Sequence, residues 1–522
     1  MQADTRPPFP LGLWPLALLC GVWLLAVALG HDPWKTEDAI HIGIAHGFAT
    51  SGDWLLPRLA GEVWPDLPSL YHWVAALLGT LLGGLLPFHD AARLASPLFG
   101  ALALLLLALT ARTWHGPEAG RAAPLLLIGS IGLLVPLHEA QPAAAVLAGH
   151  AALYAGLALP EKRSRLAGLL MGLGLAVAFL SDGLSGVLPV LPLLLWPLAK
   201  QRWQALAIAV CSLLALGGGW LALLASSHPA PLALWWQTEL QSVAPTGWPD
   251  RSHAKFLAWF AWPVLPLAGW AVWAQRRRLS QPGMAIPFIG LLCALIAFLL
   301  REPRPASSLA LMPPLVLLAT VGADRLRRGA ANALDWFGMM TFSLVIALIW
   351  LGGIAMLTGW PPKIARNFAK LEPGFVAQTS LFALAVAGIA TLVWLAALGL
   401  RRSPWRAAVH WSIGLTVMWV VVAALWLPWI DYGKTYRPVA ASLAQALPPG
   451  AGCIARIGLG PAQRASLDYF AGIRTVSNSR GQECPLVLVQ GGSREAEWVG
   501  WEKLWEGRRP GDKSERFRLY RR

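Results

Sequence analysis

Between His31 and Trp73 the chain gathers Asp32, Lys35, Glu37, Asp38, His41, His46, Asp53, Arg58, Glu62, Asp66 and His72, flanked by two strongly apolar segments. Acids, histidines and a lysine at a membrane boundary are the groups needed to move a proton and to hold an anion. The adjacent acids Glu37 and Asp38 stand at the start of a helix-like stretch, where either can serve as a general base or as a ligand for a divalent metal. Acids in a first helical turn also suit the helix dipole. Lys35, His41 and Asp53 in the same loop tilt the reading toward chemistry.

Further along, His138 and Glu139 stand in LLVPLHEAQP, Asp182 is a lone acid in VAFLSDGLSG, and His253 follows Asp250 and Arg251 in WPDRSHAKFLAWFAWP. Each also has a plainer reading, as a polar turn or a solvated loop residue. Arg301 and Arg304, in LLREPRPASS, run against the charge bias of the outer face and favour an anionic ligand such as a lipid phosphate. No phosphate loop is present, so any energy source must reside in the substrate.

Hydrophobic residues make up 56% of the 522 and charged ones 13%, with mean hydropathy +0.54. Apolar runs near ~20 residues recur along most of the chain, each long enough to cross a bilayer. The expected architecture is an α-helical polytopic membrane protein. The first run, Leu11–Gly30, reads as a retained helix rather than a cleaved signal, since no A-x-A site precedes a soluble domain.

The net charge of +15 resides in short clusters between apolar runs: 161–165, 200–202, 276–278, 325–328 and 401–402. That is the positive-inside pattern, with lipid head groups rather than nucleic acid as the partner. It places loop 31–67 outside, with an interfacial helix over Glu37–Ser51 that Gly52 ends. The run 70–88 is then interfacial or re-entrant. Further spans fall near 94–111, 121–137, 143–160, 166–181, 184–199, 204–225, 257–275, 284–300, 307–323, 338–359, 376–400 and 409–429. The total is about thirteen helices, which leaves the C-terminus outside. Most of the 29 tryptophans suit interfacial belts.

Residues 1–430 therefore form the membrane domain, and 431–522 a small α/β domain on the periplasmic side. Within it, 440–447 and 461–470 read as helices, 453–457 and 485–490 as strands, 495–505 as a helix, and 516–520 as an edge strand. A domain this small is marginal alone and is expected to dock on the membrane part. On the oxidising side, Cys453 and Cys484 are placed to form a disulfide; two unrelated thiols are the other reading. Cys20, Cys211 and Cys293 lie in apolar runs.

The stretches Asp32-Pro33-Trp34-Lys35-Thr36-Glu37-Asp38-Ala39, Gly52-Asp53-Trp54-Leu55-Leu56-Pro57 and Pro68-Ser69-Leu70-Tyr71-His72-Trp73 resemble the first outer loop of bacterial GT-C membrane glycosyltransferases. The family is that of the protein O-mannosyltransferases and the lipid A aminoarabinose transferase. LHEAQ, Leu257–Pro266 and ALDWFGMMTF add to the resemblance. It implies a GT-C fold, a polyprenyl-phosphate sugar donor, a lipid or glycan acceptor at the periplasmic face of the inner membrane, and inversion at the anomeric carbon. On this reading Glu37 and Asp38 are the catalytic positions, and Lys35, Asp53, Tyr71, His72, His138, Glu139, Asp182, His253, Arg301 and Arg304 contact substrate. No definite cofactor is called for; Glu37 and Asp38 act either as base or as ligands of a divalent metal.

The sequence departs from the pattern in four places. The acid pair is reversed, Leu67 stands where relatives carry Lys, Pro142 or Ala143 where they carry an acid, and a Lys near Asp182 is absent. A second reading follows from these losses: a non-catalytic relative that binds a lipid-linked sugar or scaffolds an envelope complex.

Overall fold

The computed structural model describes residues 9–66, 68–304, 308–450, 452–477, 484–492, 501–512 and 514–521. Leu67, the end of the outer turn at 305–306, and 495–500 lie outside the described residues. Among the described residues, six helices are long and apolar enough to cross a bilayer: Phe88–His115, Glu161–Val187, Trp203–Ser227, Pro282–Leu299, Arg328–Thr358 and Arg406–Ala446. The multi-pass membrane architecture expected from composition is present. A seventh candidate span is broken, because Arg251–Phe260 and Val264–Ala274 meet at 95° where one span over 257–275 was expected. Shorter apolar helices, Leu13–Leu25, Leu70–Leu81, Ala143–Ala158, Leu309–Asp324 and Leu381–Ala397, complete the bundle.

Eight helices position the site: α1 (Leu13–Leu25), α2 (Glu37–Ser51), α3 (Leu70–Leu81), α4 (Phe88–Arg93), α5 (Ala95–His115), α6 (Pro117–Ile128), α7 (Ala143–Ala158) and α8 (Ser164–Val187). At 12 residues, α3 is about 18 Å long, too short to cross. It fits the interfacial role expected of 70–88. α7 is buried from Ala143 through Leu157. Its alanines and glycines permit a close crossing with α8: a Cβ on Gly149 would lie 2.5 Å from the Gly174 carbonyl oxygen.

The expected turn between spans 166–181 and 184–199 is instead a kink inside α8. Asp182 and Gly183 leave helical geometry, with φ +57° at Gly183, and the helix resumes to Val187. The outer loop 226–256 carries a helix, Pro229–Val243, and 360–374 another, Pro362–Leu371.

α2 begins and ends where the sequence places it, with Gly52 left-handed at φ +72°. Its setting differs from expectation. Ala39, Ile40, Ile42, Gly43, Ile44, Ala45 and Phe48 are all buried, because α2 is sandwiched between α3 and the C-terminal helix Pro461–Ala471. A Cβ on Gly43 would meet Ala465 Cβ at 2.7 Å, so only glycine allows this approach. Charge reinforces the packing: Glu62 takes Arg456 at 2.8 Å and Arg464 at 2.6 Å. The expected docking of the C-terminal part on the membrane part thus occurs on the first loop.

The C-terminal sheet contains β3 (Ile454–Ile457), β4 (Val476–Ser477), β5 (Leu486–Gly491), β6 (Glu502–Gly507) and β7 (Arg516–Arg521), following the short hairpin β1 (Arg58–Leu59) and β2 (Glu62–Val63). The order is β4-β3-β5-β7-β6, with β3 parallel to both neighbours and β7 antiparallel to both of its own. Two expectations fail here. The described part of 495–505 is largely strand, and β7 is interior rather than an edge. The arginines that gave β7 its exposed look are neutralised laterally, since Arg516 and Arg518 pair with Glu506, and Arg521 with Glu502.

Cys453 and Cys484 are joined in a disulfide that ties the start of β3 to the start of β5. Removing it with Cys484→Ser is expected to lower the stability of the C-terminal unit by about 2–4 kcal/mol. Thermal unfolding of the purified variant against wild type measures this.

Candidate active site at the first loop

Asp38 sits in the first turn of α2, yet none of it reaches solvent. One oxygen accepts from Arg93 Nε at 3.1 Å and from the Ala140 N–H at 2.7 Å; the other accepts from Arg93 Nη2 at 2.8 Å and from the Trp34 N–H at 3.2 Å. Arg93, also fully buried, donates further to Asp90 at 2.9 Å and to the Ala28 carbonyl at 3.2 Å. Burial acts to raise the Asp38 pKa, but the Arg93 guanidinium reverses this and holds the carboxyl below the usual aspartate value. The expected catalytic or metal role of Asp38 is therefore corrected. Its lone pairs are spent fastening α2 to α4 and to the loop after α6.

Glu37 is different. Its side chain is 57% exposed, with Oε2 3.3 Å from His41 Nε2. His41 Nδ1 lies 2.9 Å from His72 Nε2, which forms a Glu37–His41–His72 relay. The hydrogen bond from His41, with the field of Arg304, keeps the Glu37 pKa below its ordinary value, so the group is a carboxylate at neutral pH. An accessible carboxylate backed by imidazoles can accept a proton from an incoming hydroxyl and pass it on. The i, i+4 spacing of Glu37 and His41 was the sequence signal for this partner. Neighbouring helical residues point about 100° apart, which is why the acid pair does not share one ligand. Among the described residues, no three His, Cys, Asp or Glu side chains are placed to hold a metal ion together.

Several other expected substrate contacts have structural partners instead. Lys35 pairs with Glu515 of the C-terminal sheet. Asp53 caps its own turn, accepting from the Leu55 and Leu56 N–H groups at 3.1 and 3.3 Å. The Tyr71 hydroxyl bonds Ser96 Oγ at 2.8 Å in the core. His138 is buried between the Trp23 and Leu134 carbonyls. None of these four faces a cavity described below, because each satisfies a backbone, core or interdomain group.

Glu139 accepts from Gln141 Nε2 at 3.1 Å, and burial followed by the Asp38 carboxylate pushes its pKa up to about 7. A folded pKa above the unfolded value means that the protonated form stabilises the fold. That contribution is complete below 4.5 and is lost as pH rises through about 7. Glu139→Gln is thus expected to stabilise the protein at pH 8 by up to about 3 kcal/mol and to leave it unchanged at pH 4. Melting curves at the two pH values test the sign.

The kink in α8 opens a cavity of about 360 Å³ lined by His150, Asp182, Ser185, Arg301, Glu302 and Arg304. Glu239, from the helix Pro229–Val243, caps the resumed helix, accepting from the Leu184 and Ser185 N–H groups at 2.6 and 3.2 Å. Its oxygen fills the space a Cβ on Gly183 would need, 2.5 Å away, so the kink requires glycine. Arg301 also borders a neighbouring cavity of about 430 Å³ with Asp250 and His253. His253 Nε2 donates to the Arg301 carbonyl at 2.8 Å, and its Nδ1 closes a capping box with Asp250. His253 therefore positions the Arg301 backbone rather than a ligand. The Arg301 guanidinium has no hydrogen-bond partner among the described residues, and burial lowers its pKa against the opposing pull of Asp182 and Glu239. Arg304 meets Glu302 at 2.7 Å.

Asp182, Arg301 and Arg304 are thus brought together, and Arg304 reaches Glu37 through its field. Asp38, expected as a catalytic position, and His138, expected to contact substrate, stay in the core. Arg93, His150 and Glu239 are the residues that sequence alone did not single out for the site.

Proteins of known function share this arrangement of helices. Over 439 residues the chain is 28% identical to an undecaprenyl phosphate-alpha-4-amino-4-deoxy-L-arabinose arabinosyl transferase of Pseudomonas aeruginosa (strain UCBPP-PA14), covering 79% of this chain and 75% of that one. It is 25% identical over 413 residues to the transferase of that name from Edwardsiella ictaluri, covering 70% of each. The crystal structure of ArnT from Cupriavidus metallidurans bound to undecaprenyl phosphate superposes with a TM-score of 0.69 at 19% identity, covering 97% of both chains. Its apo form gives 0.70 at 18%.

The chain carries the fold of the ArnT structure. No protein-family profile matches it. The resemblance to the aminoarabinose transferase family is borne out by the curated relatives, and the agreement in fold covers 97% of the chain.

Proposed function

We propose that this chain is a glycosyltransferase of the bacterial inner membrane that moves a sugar from a polyprenyl phosphate to a lipid or glycan acceptor at the periplasmic face. The observation that carries the reading is the half-buried Arg301 guanidinium, with no hydrogen-bond partner among the described residues, beside Arg304, within whose field the exposed Glu37 carboxylate lies. Glu37 removes the proton from the acceptor hydroxyl as its oxygen attacks the anomeric carbon from the face opposite the phosphate. The bond from that carbon to the phosphate oxygen breaks, and polyprenyl phosphate leaves with its charge stabilised by the arginines. Configuration inverts. Asp38 and Arg93 fix α2, and hence Glu37, without touching substrate.

Orientation follows from charge. α5 runs about 30 Å from Ala95, near the first loop, to His115, which lines a cavity with Arg278 and Arg325. With the basic end read as cytoplasmic under the positive-inside rule, the first loop and the docked C-terminal unit lie on the periplasmic side in this proposal.

Arg301→Gln and Arg304→Gln test the phosphate assignment. Loss of a charge-assisted contact worth about 2–3 kcal/mol is expected to weaken undecaprenyl phosphate binding roughly 30- to 150-fold. Unchanged affinity in both variants would remove the arginines from the phosphate site.

A further inference from the structure

A separate cavity of about 640 Å³ opens where α2 and the α3–α4 junction meet the C-terminal helix Pro461–Ala471. Its volume lies inside the range of ~300–1,000 Å³ typical of small-molecule sites. The walls alternate rings and polar groups: His46, Phe88, His89, Arg437, Tyr469 and Phe470.

The rings are set at angles to one another. His46 stands edge-on to Phe88 at 5.4 Å and to Tyr469 at 5.2 Å. Neither ring nitrogen of His46 has a hydrogen-bond partner among the described residues, and burial lowers its pKa, so it offers a neutral donor and acceptor. The Arg437 guanidinium lies 4.5 Å over the Phe470 ring, and its Nε and Nη2 are taken by Asp32. Nη1 has no partner among the described residues, and the side chain is 55% exposed.

Aromatic faces beside hydroxyl, imidazole and guanidinium groups match one ligand chemistry, a sugar ring carrying a phosphate. His46 follows Glu37 by nine positions along α2, about 14 Å. The cavity is thus too far from the proposed base to hold the transferred sugar, yet near enough to hold another part of the same acceptor.

We infer that this interdomain cavity, built by His46, Phe88, Arg437, Tyr469 and Phe470, is a binding subsite for a phosphorylated sugar of the acceptor. The role of acceptor rests on the proposed transferase function; the sugar-phosphate binding does not. The inference also gives the docked C-terminal unit a task, since Arg437, Tyr469 and Phe470 of the cavity wall belong to it.

Saturation-transfer NMR on the full chain in nanodiscs, with glucose 6-phosphate, glucose and inorganic phosphate as probes, tests it. Wild type is expected to saturate the ring protons of glucose 6-phosphate at least fivefold more than those of glucose. Ala49→Trp and Thr80→Trp fill the cavity from two exposed helical positions. Each is expected to reduce the glucose 6-phosphate signal at least fivefold while the protein retains its melting temperature. Should one variant fold poorly, the other carries the test. No signal with wild type, or an undiminished signal in a folded variant, overturns the subsite. Inorganic phosphate displacing glucose 6-phosphate at equal concentration would show a bare anion site and overturn it as well. Undecaprenyl phosphate binding is measured on the same samples. Its absence in wild type sinks the transferase reading while leaving the cavity result to stand alone.

Discussion

Glu37→Gln is expected to lower the rate of sugar transfer at saturating donor by about 10²–10⁴-fold, the span that general-base catalysis supplies. Undecaprenyl phosphate affinity should stay at the wild-type value, because Arg301 and Arg304 remain. The substitution keeps the side chain's shape and its contact with His41, so a fall in rate reports lost basicity rather than lost structure. Glu37→Asp should fall between the two, since shortening the side chain withdraws the carboxylate by about an ångström. His41 hydrogen-bonds the carboxylate and lowers its pKa, so the acid limb of the rate profile should lie below the ordinary glutamate range. Initial rates of polyprenyl phosphate release across pH, for the three proteins, measure all of this.

The largest effect on stability is expected at the buried pair beneath that acid. Arg93→Leu leaves Asp38 without the guanidinium that opposes its burial, and Asp38→Leu strands Arg93 with only Asp90. Breaking such a pair on one side costs about 3–5 kcal/mol. Each variant should therefore melt well below wild type, with the first loop opening to protease before the membrane helices. Replacing both partners together should cost less than the two single changes combined, because no uncompensated charge then remains between them. Equal melting temperatures for Arg93→Leu and wild type would show that the loop is held elsewhere.

The two acids show how far a sequence carries such a reading. The motif around Glu37 and Asp38 located the site and α2 with its glycine stop, because these depend on local spacing. It did not separate the two roles. That separation arises from Arg93, 55 positions away, and from the bend that brings the Ala140 N–H onto the same carboxylate. Tyr71, His138 and Lys35 misled for a related reason: a polar group in an apolar setting is as readily satisfied by a carbonyl, a hydroxyl or a docked domain as by a ligand. The multi-pass helical architecture was legible from apolar length. The Asp182–Gly183 break was legible as a turn but not as a kink inside one helix, and the 95° break before Val264 was not legible, since 257–275 reads as one apolar run. β7 looked like an edge strand because its arginines alternate, and their partners on β6 are not visible until the sheet is assembled.

The account stands or falls on turnover by the unmodified protein. Purified wild type is to be incubated with undecaprenyl phosphate-linked sugars and an outer-envelope glycolipid extract, and both products followed. The expected result is release of one undecaprenyl phosphate for each sugar transferred, with the anomeric configuration inverted. Saturable binding of the lipid-linked sugar with no release of undecaprenyl phosphate from any donor would contradict it, and would identify the chain as a binding relative that has kept the fold without the reaction.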